Sequence, residues 1–186
     1  MKLMRMWFCG VVASLAFAGL ATAGPVQFSL TPDIQTISAT EDVTAFRMSI
    51  WGQNKNVSGV DLGFVNHTSG NFKGVGLGIV NYVEGDMKGI HIGPWNQTVG
   101  TMRYAQLGYV SMATTVIGTQ IGGVNVGETM NGLQFGLVNH SSANSGIQLG
   151  LLNIANNITG WQVGLFNLNT SDKASLPFML LINGSF

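Results

Sequence analysis

The sequence is short of cysteine and of charge. Its 186 residues contain a single cysteine, Cys9, and only 9% are Asp, Glu, Lys or Arg, against about a quarter in an ordinary soluble domain. With no cysteine after residue 9, disulfides cannot hold the chain together. Packing, backbone hydrogen bonds or a surrounding membrane must do so. So few charges cannot clothe a surface that lies wholly in water, and part of the exterior is expected to face something else. Nor does one sign prevail: eight basic residues stand against eight acidic ones. Without a basic patch, nucleic acid is not a partner that the composition supports. No apolar run reaches the ~20 residues of a membrane-spanning helix. The longest, Met6 to Leu20, is interrupted by Gly10, Ser14 and Gly19.

That run reads instead as an export signal. Lys2 and Arg5 give the positive start, and Ala21-Thr22-Ala23 gives a small-x-small cleavage site before Gly24. Residues 1–23 are therefore expected to be a signal peptide, leaving 24–186 as a single repeat β domain.

What the chain has in abundance is glycine, 26 residues, and it is periodic. Gly63, Gly78, Gly93, Gly108, Gly122, Gly136, Gly150 and Gly164 recur every 14 or 15 residues within the octet Gly-apolar-polar-apolar-Gly-apolar-apolar-Asn. A fixed period of this kind marks one small unit repeated as an array. Position 1 of the octet falls at Gly59, Gly74, Gly89, Tyr104, Gly118, Gly132, Gly146 and Gly160, with a degenerate copy at Ala45. The repeats thus span about 45–169, and a C-terminal strand is expected over about 176–186.

Positions 2, 4 and 6 are almost all apolar, as in Val75, Leu77 and Ile79, or Ile147, Leu149 and Leu151. Alternation with period two is the mark of a β-strand. Glycines at positions 1 and 5, each costing a helix interior about 1 kcal/mol, exclude an apolar helix. One face of each strand is then a hydrocarbon band with polar ends. The other carries Gln106, Gln120, Gln134, Gln148 and Gln162 between glycines.

Two architectures fit. The leading one is an antiparallel up-and-down transmembrane β-barrel built from one-strand repeats, with the band toward lipid and the glutamines in a narrow plugged lumen. The alternative is a β-solenoid with one coil per repeat, Leu and Ile stacked inside and the asparagines in a ladder at a corner.

Functional readings divide the same way. The barrel implies a non-enzymatic outer-membrane or cell-surface structural or interaction protein whose partner is membrane lipid. The solenoid implies a secreted or surface-attached binder of a partner, glycan or ice through a repetitive face, with the position-3 amides or the asparagine ladder as its binding row. No catalytic, cofactor-binding or metal-binding residue is assigned. His67 and His140 follow the repeat asparagine, His91 sits at position 3, and all three read as turn histidines in water. Their spacing is no zinc pattern. Asp61 and His91 share position 3 and could meet on one face as a filler or gating pair. Gly74-Val75-Gly76-Leu77-Gly78 lacks the helix that a phosphate loop requires.

Trp51 and Trp95 occupy position 7, on the face assigned to the lumen, and Trp161 occupies position 2. Lys73, Lys88 and Arg103 precede position 1 in successive copies. They would alternate between rims in a barrel and line up as a stripe in a solenoid.

The units Gly132–Asn139, Gly146–Asn153 and Gly160–Asn167, preceded by Pro25-Val26-Gln27 and followed by Leu176-Pro177-Phe178 and a terminal Phe186, resemble the leptospiral-type surface-repeat family. These are exported outer-membrane proteins of bacteria. The resemblance implies a surface location and brings no catalytic residue or cofactor.

Overall fold

The structure, a computed structural model, describes residues 24–171 and 177–184. The expected export signal, residues 1–23, and the terminal Phe186 lie outside the described residues. Every regular element within them is a strand: β1 (Gly24–Thr31), β2 (Ile34–Gln35), β3 (Val43–Asn54), β4 (Val57–Thr68), β5 (Phe72–Val83), β6 (Met87–Ile92), β7 (Trp95–Met130), β8 (Leu133–Asn144), β9 (Ile147–Ile158), β10 (Trp161–Asn169) and β11 (Phe178–Gly184).

From β3 to β10 the pairing is parallel and like lies over like. Gly59 pairs with Gly74 and Gly74 with Gly89; Asn66 pairs with Asn81; Asn125 pairs with Asn139 and Asn139 with Asn153. The chain is thus a β-solenoid of about nine coils, one per repeat. This corrects the barrel, whose neighbouring strands would be antiparallel. The polar links, such as Ser69-Gly70-Asn71, carry the chain to the next coil rather than reversing it.

These links are themselves stacked. The side-chain oxygens of Asp42, Asn56, Asn71 and Asp86 each accept the backbone N–H of the equivalent residue one coil on: Asn56, Asn71, Asp86 and Thr101. A period held to 14 or 15 residues is what keeps such columns in register.

Both ends are closed. Strand β1 adds a further parallel layer on β3, with Gln27 over Arg47, and β2 folds back on it so that Ile37 is buried. At the other end β11 runs antiparallel to β10, placing Asn183 beside Gln162 and Ile182 beside Val163. The terminal strand therefore keeps its apolar residue with the apolar band.

The interior is unlike the one expected of a solenoid. Its apolar content is chiefly one column, two residues before position 1: Val43, Val57, Phe72, Met87, Met102, Val116, Met130 and Ile158. The rest is amides and small groups. At position 3, Gln106, Gln120, Gln134, Gln148 and Gln162 are all fully buried. The Nε2 of Gln120, Gln134, Gln148 and Gln162 each donates to the Oε1 of the glutamine one coil before, at 2.7–3.0 Å, while Gln106 Nε2 donates to Thr98 Oγ1. Asn183 Nδ2 caps the series on Gln162 Oε1 at 3.2 Å.

At position 8 the asparagines form a second ladder running the other way. Asn139 Nδ2 donates to Asn153 Oδ1, and Asn153 Nδ2 to Asn167 Oδ1, each at 2.8 Å. The same Nδ2 groups also donate to the position-4 carbonyl of the next coil, Leu149 and Val163. These bonds explain the Gly-x-x-Asn half of the octet. A Cβ added at Gly150 would lie 2.6 Å from Asn139 Nδ2, so position 5 must be empty for the amide to reach across.

Position 1 is glycine for a backbone reason. Gly59 and Gly74 have φ of 111° and 143°, and a Cβ on either would strike the carbonyl of position 1 in the preceding coil. Tyr104 occupies this position with φ of 92°, a conformation that costs a side-chain-bearing residue on the order of 1–3 kcal/mol.

Two outcomes follow. Asn139→Ala leaves Asn153 Oδ1 and Leu149 O without their buried donor and should cost about 2–4 kcal/mol, read as a lowered chemical-denaturation midpoint. Tyr104→Gly should instead raise that midpoint, by about 1 kcal/mol once the backbone entropy of glycine is set against the relieved strain. A lowered midpoint for Tyr104→Gly would show that the tyrosine is not strained there.

Candidate functional site: an exposed apolar face

Because the amides fill the inside, the alternation drives the apolar residues out. Val60, Val75 and Ile90 at position 2, Leu77, Ile92, Ile121 and Phe135 at position 4, and Phe64, Ile79, Leu137, Leu151 and Leu165 at position 6 are all exposed. Stacked coil upon coil, they make one continuous apolar sheet face along the solenoid. Phe28 and Leu30 of β1 extend it at one end and Ile182 of β11 at the other. The opposite flank is polar, carrying His67, Glu84, Asp86 and Thr101. The direction of the band was thus as expected for the barrel, while its expected place inside a solenoid is overturned.

Trp51 and Trp95 at position 7 are also exposed and belong to this face, not to the interior. Between the inward glycine of position 5 and the inward asparagine of position 8 lie two residues, and the chain turns a corner there, so positions 6 and 7 both look outward. Trp161 lies on the same face at position 2. Lys73, Lys88 and Arg103 pair in direct register and form the single stripe expected of a solenoid, along the margin of the apolar face.

The face is not flat. Near its β1 end a groove of about 520 Å³ opens between Phe28, Leu30, Ile34, Met48, Ile50 and Phe64. At mid-length a notch of about 480 Å³, floored by the position-5 glycines Gly93, Gly108 and Gly122, lies where Pro94 and Gly123 replace the usual bulky residues of position 6. Tyr109 borders that notch and is 76% exposed, the highest value among the large apolar and aromatic residues.

The residues that the sequence offered as binding rows are out of reach, since the position-3 glutamines and the position-8 asparagines are buried and bonded to one another. Nor does the structure bring Asp61 and His91 together. Asp61 forms a buried bidentate ion pair with Arg47, whose Nε and Nη2 donate to Oδ1 and Oδ2 at 2.8 and 2.6 Å. Arg47 Nη1 donates further to Asn54 Oδ1 and the His67 carbonyl. Gly76 occupies the coil between Asp61 and His91.

His67 contacts Glu84 through Nε2 at 2.8 Å and packs on Tyr82. His140 stands five repeats away. Among the described residues no group of three or more His, Cys, Asp or Glu is placed to hold a metal ion.

His91 is not a turn histidine in water. It is fully buried, its ring 4.4 Å from that of Phe72, in space that exists because Gly76 has no side chain: a Cβ there would meet His91 Cδ2 at 2.6 Å. Sequence reasoning missed this because position 3 was expected to be wet or lumenal. The buried glutamines in the same column were the signal that could have revealed it.

No protein-family model matches the chain, and no curated protein or solved structure does either. The apolar face therefore has to be interpreted from its own geometry.

Burial pushes the His91 pKa down to about 3, and the positive charge of Arg47 adds to the effect. Between pH 6.5 and about 3 the unfolded chain thus carries a proton at this residue that the folded chain does not. The stability that neutral His91 contributes is complete above pH 6.5 and is lost as pH falls toward 3, by up to about 5 kcal/mol. His91→Gln, which extends the glutamine column by one residue, should flatten the decline of stability with acid across that window. Parallel pH profiles for His91→Gln and the native protein in chemical denaturation would contradict this.

Proposed function

We propose that the protein is an exported, non-enzymatic interaction scaffold that attaches to an apolar partner surface through the outward Val/Leu/Ile/aromatic face of its solenoid. The observation that carries this reading is the inversion of the coil, with amides within and hydrocarbon without. An apolar patch running the length of a molecule exceeds the few hundred Å² that monomers in water ordinarily expose, and patches of that size mark interaction surfaces. The signal-like residues 1–23 and the resemblance to surface-repeat proteins support export to the cell surface.

A lipid layer is the second reading of the same face. The Lys73–Lys88–Arg103 stripe would meet anionic headgroups at its margin, and Trp51, Trp95 and Trp161 suit the interfacial region.

Leu137 and Leu151 lie on the face with their side chains outward, so replacing both by aspartate should spare the fold. Sedimentation in detergent-free buffer and flotation with anionic phospholipid vesicles test the proposal. The native protein should self-associate or float with the vesicles. Leu137→Asp/Leu151→Asp should do neither while keeping the same far-ultraviolet spectrum. A native protein that is dispersed, monomeric and indifferent to vesicles would refute the proposal.

A further inference from the structure

The middle of the apolar face departs from the repeat in three ways at once. The fifth coil has Tyr104 where its neighbours have glycine, Ser111 where they have asparagine, and Tyr109 at position 6 where the outer coils carry aliphatic residues or phenylalanine. The sixth has Gly123 at position 6, and the fourth has Pro94 there. The result is a projecting ring and an apolar notch side by side at the centre of the array. At position 6, where all the other coils present a bulky apolar residue outward, the exceptions fall together at the midpoint, which points to a role for that midpoint beyond stacking coils.

The placement of knob and notch has a symmetry consequence. Consider two copies lying face to face, related by a two-fold axis that runs along the strand direction between the fifth and sixth coils. Each fifth coil then lies opposite the partner's sixth coil, and each fourth opposite the partner's seventh. Tyr109 of one copy meets the notch at Gly123 of the other. Outward Leu137 likewise meets the low surface at Pro94. In an isologous contact of this kind each pairing occurs twice. Because the axis passes close to the midpoint of the array, almost every coil finds a partner.

The area is adequate. Coils spaced ~4.8 Å apart over about ten layers, with positions 2 to 7 spanning ~17 Å of strand, give roughly 750 Å² per copy. A stable interface of standard size buries roughly 800 Å² per partner. Acidic residues outnumber basic ones beyond residue 23, eight to six, which weakens the attraction of an anionic bilayer for the same face. A fluid acyl layer also has no use for a notch with a tyrosine beside it.

We infer that the partner of the apolar face is a second copy of this chain, in an antiparallel face-to-face dimer centred on Tyr109 of each copy seated at Gly123 of the other. This inference rests on the proposal that the apolar face is the interaction surface, and it names the occupant. Tyrosines set in pockets at the centre of an interface are the residues that dominate its energy.

Gly123→Leu fills the notch with the kind of residue that position 6 carries at Leu137 and Leu151. A Cβ at Gly123 comes no closer than 3.0 Å to other atoms, so the coil should accommodate it with a small shift. Sedimentation velocity should show a dimer for the native protein. Gly123→Leu and Tyr109→Asp should each weaken it by roughly thirty-fold or more, the equivalent of a central hot spot, with unchanged far-ultraviolet spectra.

A second measurement does not depend on weakening the dimer. Copies carrying Tyr109→Cys, mixed with copies carrying Gly123→Cys, should form a disulfide-linked pair under mild oxidation. Mixtures of Tyr109→Cys with Leu165→Cys should not. A native protein that is monomeric in buffer yet floats with vesicles overturns the dimer and leaves the apolar interaction face standing. One that is monomeric and does not float overturns both. A dimer unaffected by Gly123→Leu and giving no Tyr109–Gly123 cross-link overturns the geometry.

Discussion

The hydrogen bond between one side-chain amide and the same amide a coil away is the interaction on which this structure depends. A buried primary amide must satisfy both its oxygen and its nitrogen, because an unpaired buried polar group costs about 1–3 kcal/mol. Stacking asparagine on asparagine and glutamine on glutamine does this with no outside partner, provided that every coil has the same length and register. The period of 14 or 15 residues is therefore a condition of stability and not a by-product of duplication. The two ladders point their N–H groups in opposite directions along the axis, so their amide dipoles oppose one another.

Several sequence rules follow from that constraint. Position 5 is glycine so that the asparagine amide can cross to the next coil. Position 1 is glycine because successive backbones approach there too closely for a Cβ. Amides occupy two of the inward columns and small residues a third, so the coil holds little hydrocarbon, and alternation leaves the aliphatic residues no place but the outside. The scarcity of charge has the same origin, since a large part of the exterior is hydrocarbon. At the β1 end the column changes chemistry: the Arg47–Asp61 ion pair spans two coils where further along glutamines bond, while Gln27 Oε1 and His91 Nδ1 have no hydrogen-bond partner among the described residues.

How much of this was legible depends on the residue. The octet and the alternation can be read from the chain, because they rest on local geometry alone; the side to which Leu77 and Leu137 turn could not, since a barrel puts them outside and a hydrocarbon-filled solenoid inside. The asparagine ladder and the aligned Lys73, Lys88 and Arg103 were legible as consequences of a solenoid. The choice between barrel and solenoid was not, since both give period-two strands with one polar and one apolar face. A coil filled with hydrocarbon needs apolar residues on its return leg too, and links such as Asn139 to Asn144 supply few, which weighs for the barrel. Thr68, Ala113, Ser141 and Ala155 show how small groups suffice when amides fill the centre. The candidate face was visible as a band of residues, but its notch was not: Gly123 and Tyr109 lie 14 residues apart in sequence and become neighbours only once the coils are stacked in parallel.

A regular ladder explains stability, and its interruption then requires a separate cause. Ser111 breaks the asparagine column, leaving Ser111 Oγ and Asn125 Oδ1 without partners among the described residues, while Tyr104 in the same coil takes a backbone conformation suited to glycine. Both features weigh against the fold, and both fall in the coil that projects Tyr109 beside the notch. Strained and unsatisfied groups that persist together mark places where something other than the fold is being served. In this solenoid the stacked amides set the frame, and the coil that joins Tyr104, Tyr109 and Ser111 shapes the centre of the face that the frame turns outward.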